Sequence, residues 1–482
     1  MKLPPVFFDG FPTDPKTYVS SVSPKKSGKV YADLPHRYFS NVESMKNYVR
    51  QLKEMGTNVL LLLPHFFPSF SEYVVKDFEK PAPIFGSWDV FADFMKFVKD
   101  LGMDRMVDIP FNHADWQVEH IDRTWFKNYS QNGIEAGADD VDADGNRVRI
   151  NWGAYILDNS NPALIKYWLE KVIFPHVEKF HVNSIRIDAA WGLDRKGLAQ
   201  IVRETKTRFP DVWFLAENLG MDKLINLAES GISAGAERFF NNYFWHTKGR
   251  GVPSDYHRFF KRSHGLPSCT IFSNHDVLMP AMKALARIRK SDFGRLSDKA
   301  LYREIIEREG IDGPEKLLPE QRDGILRLMK LDFCIAAFLS TDVMFGAGCE
   351  RMLIERVDVL RSNPDNFGKG IDTDFPEFIR KILKIKTSDE IFCKDGVIIP
   401  LSNWSSDFSG IKGLIKRIDS RFLLIAANTD LSNCAEVKIP ERFHSPSPCA
   451  CLGEDGTKIV PSGKLPDKVS IKPGQILVIY QI

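Results

Sequence analysis

Between residues 31 and 348, short apolar, β-branched runs alternate with longer amphipathic stretches, and this alternation restricts the fold more than any other feature of the chain. Such runs suit strands buried on both faces, and stretches with helical periodicity suit the helices that cover them. The runs are KVYADL (29–34), VLLLLP (59–64), RMVDIP (105–110), SIRID (184–188), VWFLAE (212–217), ERFFNNY (237–243), CTIFSN (269–274) and DVMFG (342–346). Helical patterns such as VESMKNYVRQLKEMG (42–56) and FADFMKFVKDLG (91–102) lie between them and end in glycine, as helices often do. Eight strands separated in this way predict an α/β fold, a (β/α)8 TIM barrel.

Two stretches interrupt the alternation. Residues from about 114 to 159 are rich in Asp, Gly and Asn and form a small inserted domain after strand 3. Residues 278–339 are charged and helical in pattern, and separate the seventh and eighth strands. A solvated helical hairpin is the default expectation for them; covering the cleft or making a subunit contact are the alternatives. Barrels absorb such insertions in the loops that follow their strands. After about residue 388 the chain changes to short alternating runs, GVIIPL, RFLLIAAN, AEVKI and QILVIYQI, broken by Gly, Pro, Asn and Ser, which predict an antiparallel β-sandwich. The expected division is a barrel of residues 1–113 and 159–387, an inserted domain of 114–158 and a C-terminal sandwich of 388–482.

Composition removes several classes of function. Lys and Arg number 65 against 63 Asp and Glu, a net charge of +2 that offers no footprint for nucleic acid or an anionic membrane. No run approaches the roughly 18 apolar residues of a membrane span, and Pro4 and Pro5 stand where a secretory signal needs a continuous apolar stretch. The 7 cysteines lie in the second half without CxxC spacing, which fits reduced thiols better than a disulfide framework or a zinc site. The expectation is therefore a soluble cytoplasmic chain without nucleic-acid or membrane partners. Its oligomeric state is left open.

Chemistry on such a barrel belongs at the C-terminal ends of the strands, where side chains converge on one mouth. Asp108 ends the third strand, with Asn112 and His113 just beyond; Arg186 and Asp188 end the fourth, Glu217 the fifth, and His275 and Asp276 follow the seventh. Grouped carboxylates resist simultaneous ionisation, so one keeps a proton while another, beside Arg186, stays charged. Glycosidic bond cleavage needs such a pair, an acid for the leaving oxygen and a carboxylate for the oxocarbenium-like centre. Arg186 and Asp188 share a face because strand side chains repeat every two residues. Taken singly, an Asp at a strand end is ordinarily a helix cap and a lone His a satisfied polar group; four strand ends carrying compatible groups make independent caps a poor account.

These residues fall in four motifs, VDIPFNH (107–113), IRIDAAW (185–191), FLAEN (214–218) and FSNHD (272–276), by which the chain resembles the α-amylase family of glycosidases and transglycosylases, glycoside hydrolase family 13. The resemblance implies Asp188 as nucleophile, Glu217 as general acid and base, and Asp276 as a third carboxylate stabilising the transition state. It implies that Arg186 orients Asp188, that His113 and His275 hold sugar hydroxyls, and that Asp108 supports the site. SEYVVKDF (71–78) is similar to the segment carrying a sugar-stacking aromatic residue, which implies Tyr73, although Val74 stands where the family usually has Asp. ILDNSNP (156–162) resembles the motif that closes the family's small second domain. Many starch-cleaving members have Lys-His shortly after the nucleophile; this chain has Ala190, Trp191 and Gly192, which makes Trp191 either a platform for an acceptor sugar or a packed aromatic residue.

The implied reaction is retaining cleavage of α-glucosidic bonds through a covalent glycosyl-enzyme, by hydrolysis or by transfer to an acceptor, on an α-linked oligosaccharide or glucan. No cofactor is required. A structural calcium is left open, since many members bind one at the position of Asn112 and others do without. Asp140, Asp142, Asp144 and Gly145 begin like an EF-hand loop, but Asn151 replaces the bidentate Glu, and a hairpin turn on Asp-Gly is the better reading. No metal ligand set is assigned. The alternative to an enzyme is a catalytically silent, amylase-like carbohydrate-binding or scaffold protein, against which stands the presence of Asp188, Glu217 and Asp276. A barrel metalloenzyme would need clustered His ligands that the sequence lacks.

Overall fold

The structure, a computed structural model, describes residues 28–142, 144–217, 238–240, 267–289, 297–356, 359–360, 362–394, 396–400, 411–418, 421–438, 449–453, 456–460 and 468–481. Eight parallel strands close a barrel in sequence order: β1 (Val30–Leu34), β2 (Val59–Leu62), β3 (Asp104–Ile109), β4 (Ser184–Ile187), β5 (Trp213–Ala216), β6 (Arg238–Phe240), β7 (Ser268–Ile271) and β8 (Asp342–Gly346), with β8 pairing back onto β1. Each falls within an apolar run of the sequence. Residues of β1, β2, β4, β7 and β8 are buried without exception, as strands covered by helices outside and side chains inside must be.

The barrel interior is plugged by a layer that includes Tyr31, Leu61, Met106, Leu215, Ile271 and Met344. Side chains repeat every two residues along a strand, so the next inward positions after Tyr31, Met106 and Leu215 are Asp33, Asp108 and Glu217. Apolar plug and polar floor are thus consecutive turns of the same periodicity. The register sets Asp108 directly beside Arg186 on the neighbouring strand. The covering helices start on side-chain caps, Asn41 on the Ser44 amide, Ser87 on the Val90 amide and Asp194 on the Gly197 amide. At Gly197 the helix Arg195–Arg208 comes so close to the Asn159 carbonyl that a Cβ would lie 1.7 Å from it, so only glycine fits.

After β3 the chain forms a three-stranded antiparallel sheet of His113–Ala114, Arg147–Ile156 and Glu135–Val141. The loop between the two long arms is a tight turn: the Asp142 carboxylate accepts the amides of Asp144 at 2.9 Å and Asn146 at 2.9 Å. Those bonds take up the oxygens an EF-hand would turn toward an ion. Between β7 and β8 the structure departs from a solvated hairpin. Helices Pro280–Ile288 and Pro319–Leu339 bury most of their residues and include a buried Arg287–Asp332 ion pair; they belong to the barrel's own helical layer. The apolar content of LMKLDFCIAAFL outweighs the charges, which fall on one edge. The part between them, including Asp298–Tyr302 and Arg303–Arg308, sends Leu301 and Ile305 into the same core and turns charged residues such as Lys299 and Arg303 outward.

The C-terminal residues make a six-stranded antiparallel sheet and a two-stranded one, whose facing side chains, Ile415, Leu424 and Ile479 against Val437 and Ile471, share one core. Cys269, Cys334, Cys349, Cys393 and Cys434 are free thiols. Among the described residues no helix is long and apolar enough to cross a membrane.

Candidate active site

Arg186 is the centre of the polar floor. It rises from β4, is fully buried, and its guanidinium meets three carboxylates: Asp108 in a close ion pair, Asp188 at 3.2 Å from Nη1, and Glu217 at 2.7 Å from Nη2. Asp188 and Glu217 are only 6% and 4% exposed. Three carboxylates around one guanidinium cannot all be ionised at such burial, so the cluster keeps a proton. Burial and the Glu217 charge push the Asp188 carboxyl well above the usual range, against the pull of Arg186. Burial likewise raises Asp108, to about 6, although Arg186 and the Tyr73 hydroxyl pull it down.

Immediately after Asp188, Ala189 adopts a left-handed backbone conformation with φ 44°, rare for a residue with a Cβ. The turn aims its amide at Glu217, whose Oε2 accepts it at 2.6 Å. Glu217 is therefore fixed from two directions, by Arg186 and by the peptide that follows Asp188.

Tyr73 and His275 close the opposite side. Their rings stack at 5.2 Å between centroids, and the Tyr73 hydroxyl lies 2.6 Å from Asp108 Oδ2, which accepts its proton, and 2.9 Å from His275 Nε2. Asp276, whose side chain is 31% exposed, is held by the Asn274 amide at 3.2 Å and lies 3.3 Å from His275 Nε2. Tyr73, Asp276 and Trp191 are half-buried and line the way to solvent. Trp191 sits in the short turn Ala190–Gly192 after β4 and packs against the core.

A residue the motifs do not contain completes the arrangement. Asp33, at the inward position that ends β1, accepts both the backbone amide of His275, at 2.9 Å, and its Nδ1–H, at 3.1 Å. With Asp33 on one side and Asp276 on the other, the imidazole is pushed up to about 10 despite burial, and is an imidazolium at neutral pH. The signal for Asp33 was its place two residues after Tyr31, the same spacing that separates Met106 from Asp108. His113 is buried and does not join the Arg186 network; its ring faces Trp152 of the inserted sheet at 5.2 Å, and burial lowers it to about 4, leaving it neutral.

Asn112 is buried beneath Gly192, and among the described residues one group of acidic and imidazole side chains is close enough to share an ion. Asp77, Glu119 and His120 form such a group, but Lys80 already places its ammonium 2.9 Å from Asp77 and 3.4 Å from Glu119. No step below passes through a metal.

No family model matches the chain. It is 25% identical over 225 residues to the intracellular maltogenic amylase of Bacillus subtilis (strain 168), an alignment covering 44% of this chain and 37% of that protein. It is 24% identical over 180 residues to the 1,4-alpha-glucan branching enzyme GlgB of Nocardia farcinica, covering 37% of this chain and 22% of the relative. The matched segments thus span about a third or less of these relatives. Over nearly the whole chain, the fold superposes on a noncanonic maltogenic alpha-amylase, AmyB, from Thermotoga neapolitana, with a TM-score of 0.67, 16% identity, and 94% and 98% of the two chains covered. The four motifs, these similarities and the shared fold support an assignment to the α-amylase family. That assignment accounts for the order of the four motifs around the barrel.

Proposed function

We propose that the protein cleaves α-glucosidic bonds with retention, through a covalent glycosyl-enzyme on Asp188, and passes the glycosyl unit to water or to a sugar hydroxyl. The observation that carries this reading is the fork of Arg186, which holds Asp188 and Glu217 on its two terminal nitrogens. Two carboxylates gathered on one guanidinium suit a nucleophile and an acid acting on the same bond; a retaining pair requires about 5–5.5 Å between them. In the first step a carboxylate oxygen of Asp188 attacks the anomeric carbon while Glu217 gives its proton to the departing oxygen. In the second, Glu217 takes a proton from the incoming hydroxyl, which displaces Asp188.

In the sugar-free site Glu217 is ion-paired with Arg186 and accepts the Ala189 amide, and burial favours the retained proton on Asp188. Reaction needs the reverse, so the proton moves within the cluster when the glycosidic oxygen reaches Glu217. Tyr73 and the His275 imidazolium bound the sugar ring, with Asp276 facing the developing positive charge. Asp108 fixes Arg186, His113 and Trp152 form the wall beneath the inserted sheet, and Trp191 faces an acceptor. The substrate class is an α-linked oligosaccharide or glucan, in keeping with relatives named as maltogenic amylase and branching enzyme. An intracellular setting is supported by the free thiols and by the name of the Bacillus relative.

Asp188→Asn is expected to lower kcat/KM on an aryl α-glucoside or on maltooligosaccharides by roughly a thousandfold or more while leaving the fold intact. Parent-like turnover by this variant, or no turnover of any α-glucoside by the parent, rejects the reading.

A further inference from the structure

In the closed strand order β3 and β7 are diametrically opposed, four steps apart in either direction. Their two excursions nevertheless meet. Lys299 and Arg303, one helical turn apart and so on one face, reach Asp140 at 2.7 Å and Asp144 at 2.8 Å at the tip of the inserted hairpin. The Ser297 hydroxyl, which caps that helix, donates to the Asp142 carbonyl at 3.2 Å. The acidic turn of one excursion is matched by the basic face of the other.

The contacts continue around one half of the rim. The Tyr302 hydroxyl donates to Glu355, beyond β8, at 3.3 Å. Arg37, beyond β1, donates to the carbonyls of Leu360 at 3.2 Å and Phe70, beyond β2, at 3.4 Å. The Phe70 ring in turn lies against Gly153 of the inserted hairpin, where φ is +70° and a Cβ would come within 2.4 Å of the ring. Among the described residues these contacts tie together segments that follow β7, β8, β1, β2 and β3, and Tyr73, His275 and Asp33 lie at the foot of the wall they make. Glu217, which delivers the proton to the leaving oxygen, and Trp191 belong to β5 and to the turn after β4, in the other half. The leaving group therefore departs away from the wall, and the glycosyl unit under attack lies against it.

We propose that this wall makes the sugar cleft blind on its non-reducing side, so that the protein takes glycosyl units from the non-reducing ends of short α-glucans and does not cut within long ones. The proposal rests on the reaction assigned above and adds its substrate class. The test compares maltoheptaose with maltoheptaose whose terminal 4- and 6-hydroxyls are capped by a ketal, and the parent with the double variant Asp140→Asn/Asp144→Asn. The parent should cleave the uncapped sugar at least about a hundredfold faster than the capped one. The variant, with the clasp released, should cleave the capped sugar at least about tenfold faster than the parent does, with its rate on an aryl α-glucoside unchanged. Cleavage of both heptaoses by the parent at similar rates overturns the proposal, as does a variant that resists the capped sugar as fully as the parent. Failure to cleave uncapped maltoheptaose, maltose and the aryl glucoside alike overturns the assigned reaction itself, a result distinct from either.

Discussion

Asp33 controls a charge that no neighbouring residue in sequence would suggest. His275 is faced by Asp33 from β1, by Tyr73 and Glu72 from the segment after β2, by Asp108 and Arg186 from the barrel floor, and by Asp276 on its own loop. Asn at position 33 keeps an oxygen for both His275 donors and removes only the negative charge. In Asp33→Asn the imidazole should therefore fall from about 10 toward its ordinary 6.5, and the alkaline limb of kcat/KM against pH should move down by more than about one unit. Near pH 6, where the ring is charged in either form, activity should stay within about tenfold of the parent. A profile that drops uniformly without moving would show that Asp33 acts through structure alone. The stability linkage has the same sign: a histidine raised from 6.5 to about 10 adds stability in full below 6.5 and loses it as pH climbs to 10. Residues such as Asp188 and Glu217 were legible because each ends an apolar run within a motif. Asp33 obeys the same two-residue spacing, but its partner lies 242 positions away, and a strand-end Asp without a known partner reads as a helix cap.

Between the end of β2 and the helix Phe174–Glu178 two buried histidines meet, Nε2 to Nε2, at 2.7 Å. His176 Nδ1 lies 2.6 Å from the Val172 carbonyl and so carries a proton, which leaves its Nε2 as the acceptor of the His65 Nε2–H. His65 Nδ1 is then a bare acceptor without a partner, as found. Phe66, Phe91 and Trp88 surround the pair, and burial lowers both rings, His176 to about 4. The unfolded chain binds protons below pH 6.5 that the folded one refuses until about pH 4, so stability is lost as pH falls through that window. The loss is about 3 kcal/mol for a single histidine so shifted. Tm should drop steeply between pH 6.5 and 4.5 in the parent and less steeply in His65→Leu/His176→Leu, which removes donor and acceptor together and costs about 1–2 kcal/mol at pH 7. Equal slopes would place the acid sensitivity elsewhere, with His113 the next candidate. All eight strands could be placed because each holds a short apolar run between amphipathic stretches. The helices between β7 and β8 could not be separated from their excursion, because charges such as Arg287 and Asp332 are buried against each other and mimic a solvated face.

At the scale of the molecule, barrel and C-terminal sheets are joined at the end of one helix. The last carbonyls of Pro319–Leu339 have no partner within the helix and carry its negative end. Two lysines, each fully buried, supply the donors. Lys386 donates to the carbonyls of Ala337 at 2.6 Å, Ser340 at 2.9 Å and Phe392 at 3.1 Å, from the barrel side. Lys416 donates to Phe338 at 2.7 Å and Lys394 at 2.9 Å, from the sandwich strand Ile411–Ile418. In that strand Lys416 shares a face with Leu414, which packs into the barrel's core, whereas simple alternation in IKGLIKRI would turn its lysines to water. This junction was not legible in the sequence, because it depends on which helix end the strand meets. Lys416→Met keeps the apolar stem and removes the charge, leaving the buried Phe338 carbonyl without its donor at about 1–3 kcal/mol. A protein that unfolds as one unit should then lose several degrees of Tm in a single transition. If instead the variant's C-terminal sheets melt or become open to protease while the barrel transition stays in place, the lysine serves docking alone. An unchanged melt with unchanged protease resistance would show that the junction stands without it.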